Sequence, residues 1–237
     1  MDITTGEDNV PRNTKSRRKK PHDIDLMLAR IEDEIKPHAK AAMFDLYDQG
    51  FTGLFQQVVA CMISIRTRDE VSLGLARELL TKAPTAEAMV KLGVDGIAKI
   101  ISAATFSYQK AARIHNIAKQ TVQEHGGELP PDEEVLLALP GVGPKCAHLA
   151  LGVAARRPYI SVDIHVHRVT NRWGYVQAKT PEKTMEALEK KLPRAHWIDI
   201  NRLLVPFGKH VCTGVRPFCS RCPVLEMCKQ VGVQNPR

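Results

Sequence analysis

Four of the six cysteines lie in one short C-terminal stretch, at Cys212, Cys219, Cys222 and Cys228, with six, two and five residues between them. Because sulfur is a soft ligand, four thiolates from one segment suit tetrahedral zinc or an iron–sulfur cluster better than calcium or magnesium. A zinc ribbon normally has two Cys-x-x-Cys pairs, and only Cys219 and Cys222 have that spacing here. The wide loop therefore favours iron and sulfide, with zinc and a disulfide pair as the alternatives.

The composition of the chain indicates a soluble globular protein. Of its 237 residues, 43% are hydrophobic and 25% charged. No apolar run approaches the roughly 18 residues that span a bilayer, and charges stand where a signal peptide would have its apolar core. We therefore expect no membrane partner and an intracellular location, either a bacterial cytoplasm or, in a eukaryote, a nucleus or mitochondrion. In a reducing compartment, clustered cysteines favour metal ligation over disulfides.

The net charge of +8 indicates a polyanionic partner, with nucleic acid as the first candidate and acidic proteins as the alternative. Part of the excess lies in residues 1–22, a segment with few apolar residues that is predicted to be disordered. This tail is either a solubilising leader or an arm that seeks phosphates or serves as a localisation signal. Its basic residues are Arg12, Lys15, Arg17, Arg18, Lys19 and Lys20.

Apolar residues recur at helical spacing along most of the chain after residue 23, and alternating strand patterns are missing. The fold class is therefore predicted to be all-α. The predicted helices of the central and C-terminal parts are 86–92, 95–102, 109–125, 132–139, 145–155, 164–173, 180–192 and 198–207.

The segment Leu139–Lys145 joins two of these helices through a turn that contains Gly141 and Gly143. Glycines allow positive φ and a close approach of the backbone to a ligand. The turn ends at a helix N-terminus, where free N–H groups and the helix dipole favour an anion such as a DNA phosphate. The alternative is an ordinary tight connection in which the glycines serve the turn and Val142 packs.

Three segments together resemble the endonuclease III family of DNA glycosylases. Residues 139–147 look like the family's helix-hairpin-helix motif, residues 162–169 resemble its catalytic aspartate segment, and the cysteine spacing is similar to its [4Fe-4S] loop. The resemblance covers about residues 23–228. It implies an all-α, two-domain fold with a six-helix barrel at residues 47–157, a cluster domain at residues 23–46 and 158–237, and a cleft for DNA between them.

The resemblance also implies the chemistry. Lys145 matches the family's nucleophile and Asp163, eighteen residues later, its catalytic carboxylate. The expected enzyme is a monomeric base-excision repair glycosylase that removes oxidised pyrimidines from duplex DNA, forms a Schiff base and cleaves the abasic site by β-elimination. Cys212, Cys219, Cys222 and Cys228 would hold a [4Fe-4S] cluster. From the residues alone, Lys145 could be a solvated helix-start residue and Asp163 an N-cap.

Further residues are predicted to contact DNA. Arg66 lies where the family typically has a glutamine that fills the space of the displaced base, and Phe106 where it often has an apolar wedge. A phosphate contact for Arg66 and core burial for Phe106 are the alternatives. The complete set of predicted DNA contacts is Gly141, Val142, Gly143, Arg66, Phe106, His165, Lys209, Arg216 and Arg221.

Three other classes of protein compete with this interpretation. Adenine glycosylases of the superfamily usually have serine at the position of Lys145 and a glutamate in the early helix, and residues 56–68 contain no glutamate. Thymine-mismatch glycosylases generally have tyrosine at the lysine position. A non-catalytic DNA-binding module, with iron–sulfur or zinc, would need neither Lys145 nor Asp163.

Overall fold

The computed structural model describes residues 19–237, and within that part of the chain every regular element is helical. The all-α prediction is thereby confirmed. The α-helices are α1 (Ile24–Ile35), α2 (Ala42–Asp48), α3 (Leu54–Ser64), α4 (Asp69–Lys82), α5 (Ala86–Ile100), α6 (Ser107–His125), α7 (Glu133–Ala138), α8 (Pro144–Ala155), α9 (Ile164–Trp173), α10 (Pro181–Glu189) and α11 (Asp199–His210). Short 3₁₀ turns lie at Arg194–His196, before α11, and at Cys219–Arg221, after it.

The helices begin and end at residues whose chemistry suits these positions. Asp132 and Asp163 are N-caps whose carboxylates accept hydrogen bonds from the first backbone N–H groups of α7 and α9. Gly126 and Gly174 end α6 and α9 in the left-handed conformation, which glycine adopts without steric cost. Because these caps and glycines are local features, the positions of the helices can be predicted from the sequence.

Buried side chains form two hydrophobic cores. The first lies among α2 to α8, and the second among α1, α9, α10, α11 and the C-terminal segment. Fully buried residues at their centres include Val58, Ile63, Ile114 and Leu151 in the first core, and Met27, Ile31, Trp173 and Phe207 in the second.

The boundary between the two parts differs from the expected one. Met43, Phe44 and Leu46 were assigned to the cluster domain, but they are buried in the first core because α2 packs against α4 and α8. The first core therefore begins at Ala41 rather than at Tyr47. The division of the chain into two domains stays a prediction, with this boundary moved.

The first described residues lie against the C-terminal segment. Lys19 donates from Nζ to the carbonyl oxygen of Leu225 at 2.9 Å, and Lys20 forms an ion pair with Glu226 at 2.7 Å. Residues 19–22 have no regular structure and contact the C-terminal segment, and the boundary of the predicted disordered tail at residue 22 stays a prediction. The rest of the basic tail, residues 1–18, lies outside the described residues.

Among the helices of residues 19–237, none is long and apolar enough to cross a membrane.

Candidate active site and metal centre

The turn before α8 has an exposed, glycine-dependent backbone. Gly141 has φ +83°, and a Cβ added there would lie 3.0 Å from Cδ of Arg113 and 3.2 Å from Cε of Met62. Gly143 is the N-cap of α8, and Pro144 occupies the first turn. Within residues 19–237 the N–H groups of Gly143 and Lys145 have no hydrogen-bond partner. These two donors point to an anion site at the start of α8.

Val142 has the packing role that the sequence offered as the alternative to a DNA contact. Its side chain is only 6% exposed and packs in the first core, and its N–H donates to the carbonyl oxygen of Leu139 at 3.1 Å. Neither group is left for DNA. We therefore assign Val142 to packing and to the turn, and correct its prediction as a DNA contact.

Lys145 and Asp163 line one pocket where the two cores meet. Lys145 is an exposed residue in the first turn of α8. Asp163 caps α9, and its Oδ1 accepts from the N–H groups of His165 at 2.9 Å and Val166 at 2.8 Å. Its Oδ2 accepts no hydrogen bond within the described part of the chain. One carboxylate oxygen therefore holds the helix, while within the described residues the other stays open in the pocket that Lys145 also lines.

The same pocket contains polar residues that the motifs did not single out as candidates, namely Ser64, Asp69 and Asn201. Asn201 is 3% exposed and makes a long hydrogen bond of 3.4 Å to the carbonyl oxygen of Ser161. In the sequence, the only sign of this role of Asn201 was its position as a polar residue on the apolar face of α11. A larger cavity of 520 Å³ between α1, α2 and α11 contains neither Lys145 nor Asp163.

Two exposed loops stand beside this pocket and carry Arg66 and Phe106. Both residues have positive φ, +54° and +56°, a region that non-glycine residues seldom adopt. Phe106 is 55% exposed, which contradicts the alternative of core burial. The hydroxyl of Thr105 donates to the carbonyl oxygen of Arg66 at 2.9 Å and joins the loops. Their contact with DNA stays a prediction.

The three basic residues predicted to contact DNA differ in whether their charged groups already have partners in the protein. Arg216 is exposed. Arg221 donates to the carbonyl oxygen of His210 at 2.9 Å and stacks on Phe218. Lys209, in α11, forms an ion pair with Asp69 of α4, so its ammonium already has a partner.

His165 is half-buried between α9 and α11. Its Nδ1 accepts a hydrogen bond from Arg168 Nη2 at 3.1 Å. Burial lowers the pKa of His165, and the attraction of Asp163 opposes that shift. Its proposed contact with DNA would have to use the other ring nitrogen.

The four clustered cysteines are free thiols in one folded loop. Two of the sulfurs accept hydrogen bonds from backbone N–H groups: Cys228 Sγ from Gln230 at 3.4 Å, and Cys222 Sγ from Val224. Arg172 Nη1 lies 3.6 Å from Cys212 Sγ. Burial raises the pKa of Cys222 to about 12 and that of Cys228 to about 11. Within residues 19–237, no three His, Cys, Asp or Glu side chains are grouped closely enough to hold a single metal ion.

This set of donors fits an iron–sulfur cluster. Buried thiols raise one another's pKa when they face each other, and a metal relieves that repulsion by binding the thiolates. Hydrogen bonds from N–H groups to sulfur and a nearby guanidinium are the features that stabilise an anionic cluster.

Comparison with known proteins places these features in a family. The model of the HhH-GPD superfamily of base excision DNA repair proteins matches residues 59–194. Endonuclease III of Thermotoga maritima is 37% identical over 75% of this chain and 84% of its own length. The mouse endonuclease III-like protein 1 is 37% identical over 73% of this chain, which spans 59% of that relative's length.

A solved structure supports the fold independently. Endonuclease III trapped as a covalent intermediate with DNA superimposes with a TM-score of 0.74 over 87% of this chain and 94% of that chain, at 24% identity. At this identity the likeness establishes the all-helical fold.

Proposed function

Since the chain belongs to the endonuclease III family, within the HhH-GPD superfamily of base excision DNA repair proteins, we propose that it excises oxidised pyrimidines from duplex DNA and then cleaves the strand. Glycosylase activity follows from membership of the family. The abasic-site lyase activity is a more specific proposal. One observation carries it: the amine of Lys145 and the carboxylate of Asp163 line the same pocket beside a turn suited to a phosphate.

The chemistry begins with attack of the neutral Lys145 amine on C1′ of the damaged nucleotide. The C1′–N bond breaks, and the base leaves as an anion that takes a proton from solvent. The amine gives one proton to Asp163, its lone pair then breaks the C1′–O4′ bond, O4′ takes up that proton, and a protonated Schiff base between Lys145 and C1′ results. Positive charge develops at C1′ in this step, and the Asp163 carboxylate beside it would stabilise that charge and accept the amine proton. The imine then acidifies C2′–H, whose removal expels the 3′ phosphate and cuts the strand.

Binding of duplex DNA would use the start of α8 and the basic surface. The N–H groups of Gly143 and Lys145, which have no partner among residues 19–237, suit one phosphate oxygen. The net charge of +8 adds long-range attraction that salt weakens. Since Lys145 and Asp163 come from one chain, we propose that a monomer is sufficient.

The relatives support the covalent step. An endonuclease III of the same fold has been trapped in a covalent intermediate with DNA, which is the kind of link that an amine nucleophile forms. The choice of oxidised pyrimidines follows the family, while Arg66 stands where a glutamine is typical. Arginine donates hydrogen bonds but cannot accept them, so we expect it to favour an orphaned base that presents acceptors.

Incubation with a duplex that contains one oxidised pyrimidine tests this function. We expect excision coupled to strand cleavage, with a 3′ unsaturated aldehyde as the product end, because elimination follows Schiff-base formation. An undamaged duplex of the same sequence is the control. Excision that leaves an intact abasic strand would contradict the lyase proposal. If the oxidised pyrimidine is neither excised nor its strand cut, as in the undamaged control, the proposed function is wrong.

We further propose that Cys212, Cys219, Cys222 and Cys228 hold a [4Fe-4S] cluster. A bound cluster would cross-link the C-terminal loop through four iron–sulfur bonds. Arg172 links this loop to α9 by donating to the carbonyl oxygens of Thr213 and Gly214, both at 2.6 Å. The role of the cluster would therefore be structural: it would hold Arg216 and Arg221 in place for contact with DNA.

Purified protein is expected to be brown, with an absorbance band at about 400 nm and about four irons per chain. Replacement of Cys222 with serine should remove that band and lower the melting temperature, because a ligand is lost from the loop. Cys146→Ser is the matched control, since Cys146 is buried in the first core. A colourless protein that contains zinc would contradict the cluster.

A further inference from the structure

Lys110, in the first turn of α6, is a buried lysine that the proposed chemistry does not use. It is 5% exposed. Its Nζ donates to the carbonyl oxygens of Ile63 and Ile65, both at 2.6 Å, and to Oγ1 of Thr67 at 2.9 Å. All three acceptors belong to the end of α3 and the loop that follows it. The ammonium therefore caps the C-terminus of α3.

The charge of Lys110 suits this place. The last carbonyl groups of a helix lack partners within the helix, and they lie at the negative end of its dipole. Burial lowers the pKa of Lys110 to about 8, so at neutral pH the side chain keeps its proton. No ion pair involves Lys110 within residues 19–237. Its function is therefore tied to the backbone of the loop.

That backbone is held in an unusual conformation. Arg66 lies between two of the acceptors, and its φ of +54° is uncommon for a residue with a side chain. Phe106, with φ +56°, is the N-cap of α6, and its carbonyl oxygen accepts from the N–H of Lys110 at 3.0 Å. A single lysine thus touches both loops, through its ammonium and through its backbone.

Direct bonds between the loops complete the connection. Thr105 donates from its hydroxyl to the carbonyl oxygen of Arg66 at 2.9 Å and from its N–H to Thr67 Oγ1 at 3.3 Å. Thr67 Oγ1 is also an acceptor for Lys110. Unfavourable backbone conformations persist only where several surrounding interactions hold them. These hydrogen bonds hold the backbone at Arg66 and Phe106 in this way.

We propose that Lys110 is a positioning residue that holds the Arg66 and Phe106 loops as one preformed unit, so that both side chains enter the duplex together when the damaged base leaves it. This inference rests on the proposed function. With the unit preformed, the protein does not have to order the loops during base displacement. Without Lys110 the loops would relax to ordinary backbone conformations, and only a fraction of molecules would be ready for insertion.

The test compares two reactions of Lys110→Met. Excision of an oxidised pyrimidine from a matched duplex requires base displacement, whereas elimination at a preformed abasic site in the same duplex has no base to displace. We expect single-turnover excision to fall about 10- to 100-fold, and elimination by less than about threefold. The signal of 2-aminopurine next to the lesion, which reports local unstacking, should fall with excision while DNA affinity is retained. Lys119→Met, on an exposed position of α6, should change none of these.

A second variant keeps the inference testable should Lys110→Met fold poorly. Thr105→Val removes the exposed hydroxyl that joins the loops, and we expect the same split between the reactions with a smaller loss of excision. The inference is wrong if either folded variant matches wild type in excision, or if excision and elimination fall equally. A wild type that neither excises nor eliminates would overturn the proposed function and the inference with it.

Discussion

Replacement of Lys145 with glutamine is expected to abolish both base excision and strand cleavage, with a loss of roughly 10⁴-fold or more in the single-turnover rate. Glutamine has no amine, so it can form neither the bond to C1′ nor the Schiff base. The fold should be unaffected, because the Lys145 side chain is exposed and makes no hydrogen bond within the described residues. Rates are measured by gel on a duplex that contains one oxidised pyrimidine.

Lys91→Gln is the matched control, since Lys91 is an exposed lysine in α5 on the first core. It should retain the wild-type rate. Excision by Lys145→Gln at a rate near wild type, without strand cleavage, would show that water attacks C1′ and would contradict the covalent mechanism.

Replacement of Asp163 with asparagine is expected to lower excision by about 10²- to 10⁴-fold, while DNA affinity stays within about threefold of wild type. Asparagine is as good an N-cap as aspartate, and its Oδ1 can accept from His165 and Val166 as the carboxylate does. The substitution therefore removes the charge and spares the helix. Single-turnover rates and a binding titration at one salt concentration measure the two effects.

Asp132 offers a matched control in the same chain. Its carboxylate caps α7 by accepting from the residues two and three positions on, the arrangement also found at Asp163, and it lies away from the pocket of Lys145. Asp132→Asn should therefore be fully active. Were Asp163→Asn also fully active, with Asp163→Ala impaired only through a loss of stability of about 1 kcal/mol, the role of Asp163 would be that of a cap.

The elements that follow from local patterns were predictable. Helical periodicity, the caps at Asp132 and Asp163, and the glycine turn before α8 each depend on neighbours in sequence. Even the split between residues 86–92 and 95–102 has a counterpart, because α5 contains a kink at Gly93, where φ is +72°. The two predicted helices are therefore the two pieces of α5 that meet at this non-helical residue.

Features that depend on distant partners were missed. Lys209 pairs with Asp69, 140 residues away, which the sequence did not show; its contact with DNA stays a prediction. Lys110 reads as one more surface lysine at the start of a helix, and only its contacts with the end of α3 show that it is buried. For Val142 the sequence left a DNA contact and packing both open, and only the structure shows that its side chain is buried in the first core. Periodicity in one chain carries no information on such contacts.

Borohydride reduction during reaction with an abasic-site duplex, followed by mass mapping of the adducted peptide, tests the nucleophile most directly. We expect a covalent adduct on Lys145, the lysine that shares its pocket with Asp163. Lys110 is the informative alternative, since burial lowers its pKa to about 8, yet its amine is bound to the loop rather than open to the pocket. An adduct on any other amine, or no adduct from active protein, would contradict the assignment of Lys145 as the nucleophile.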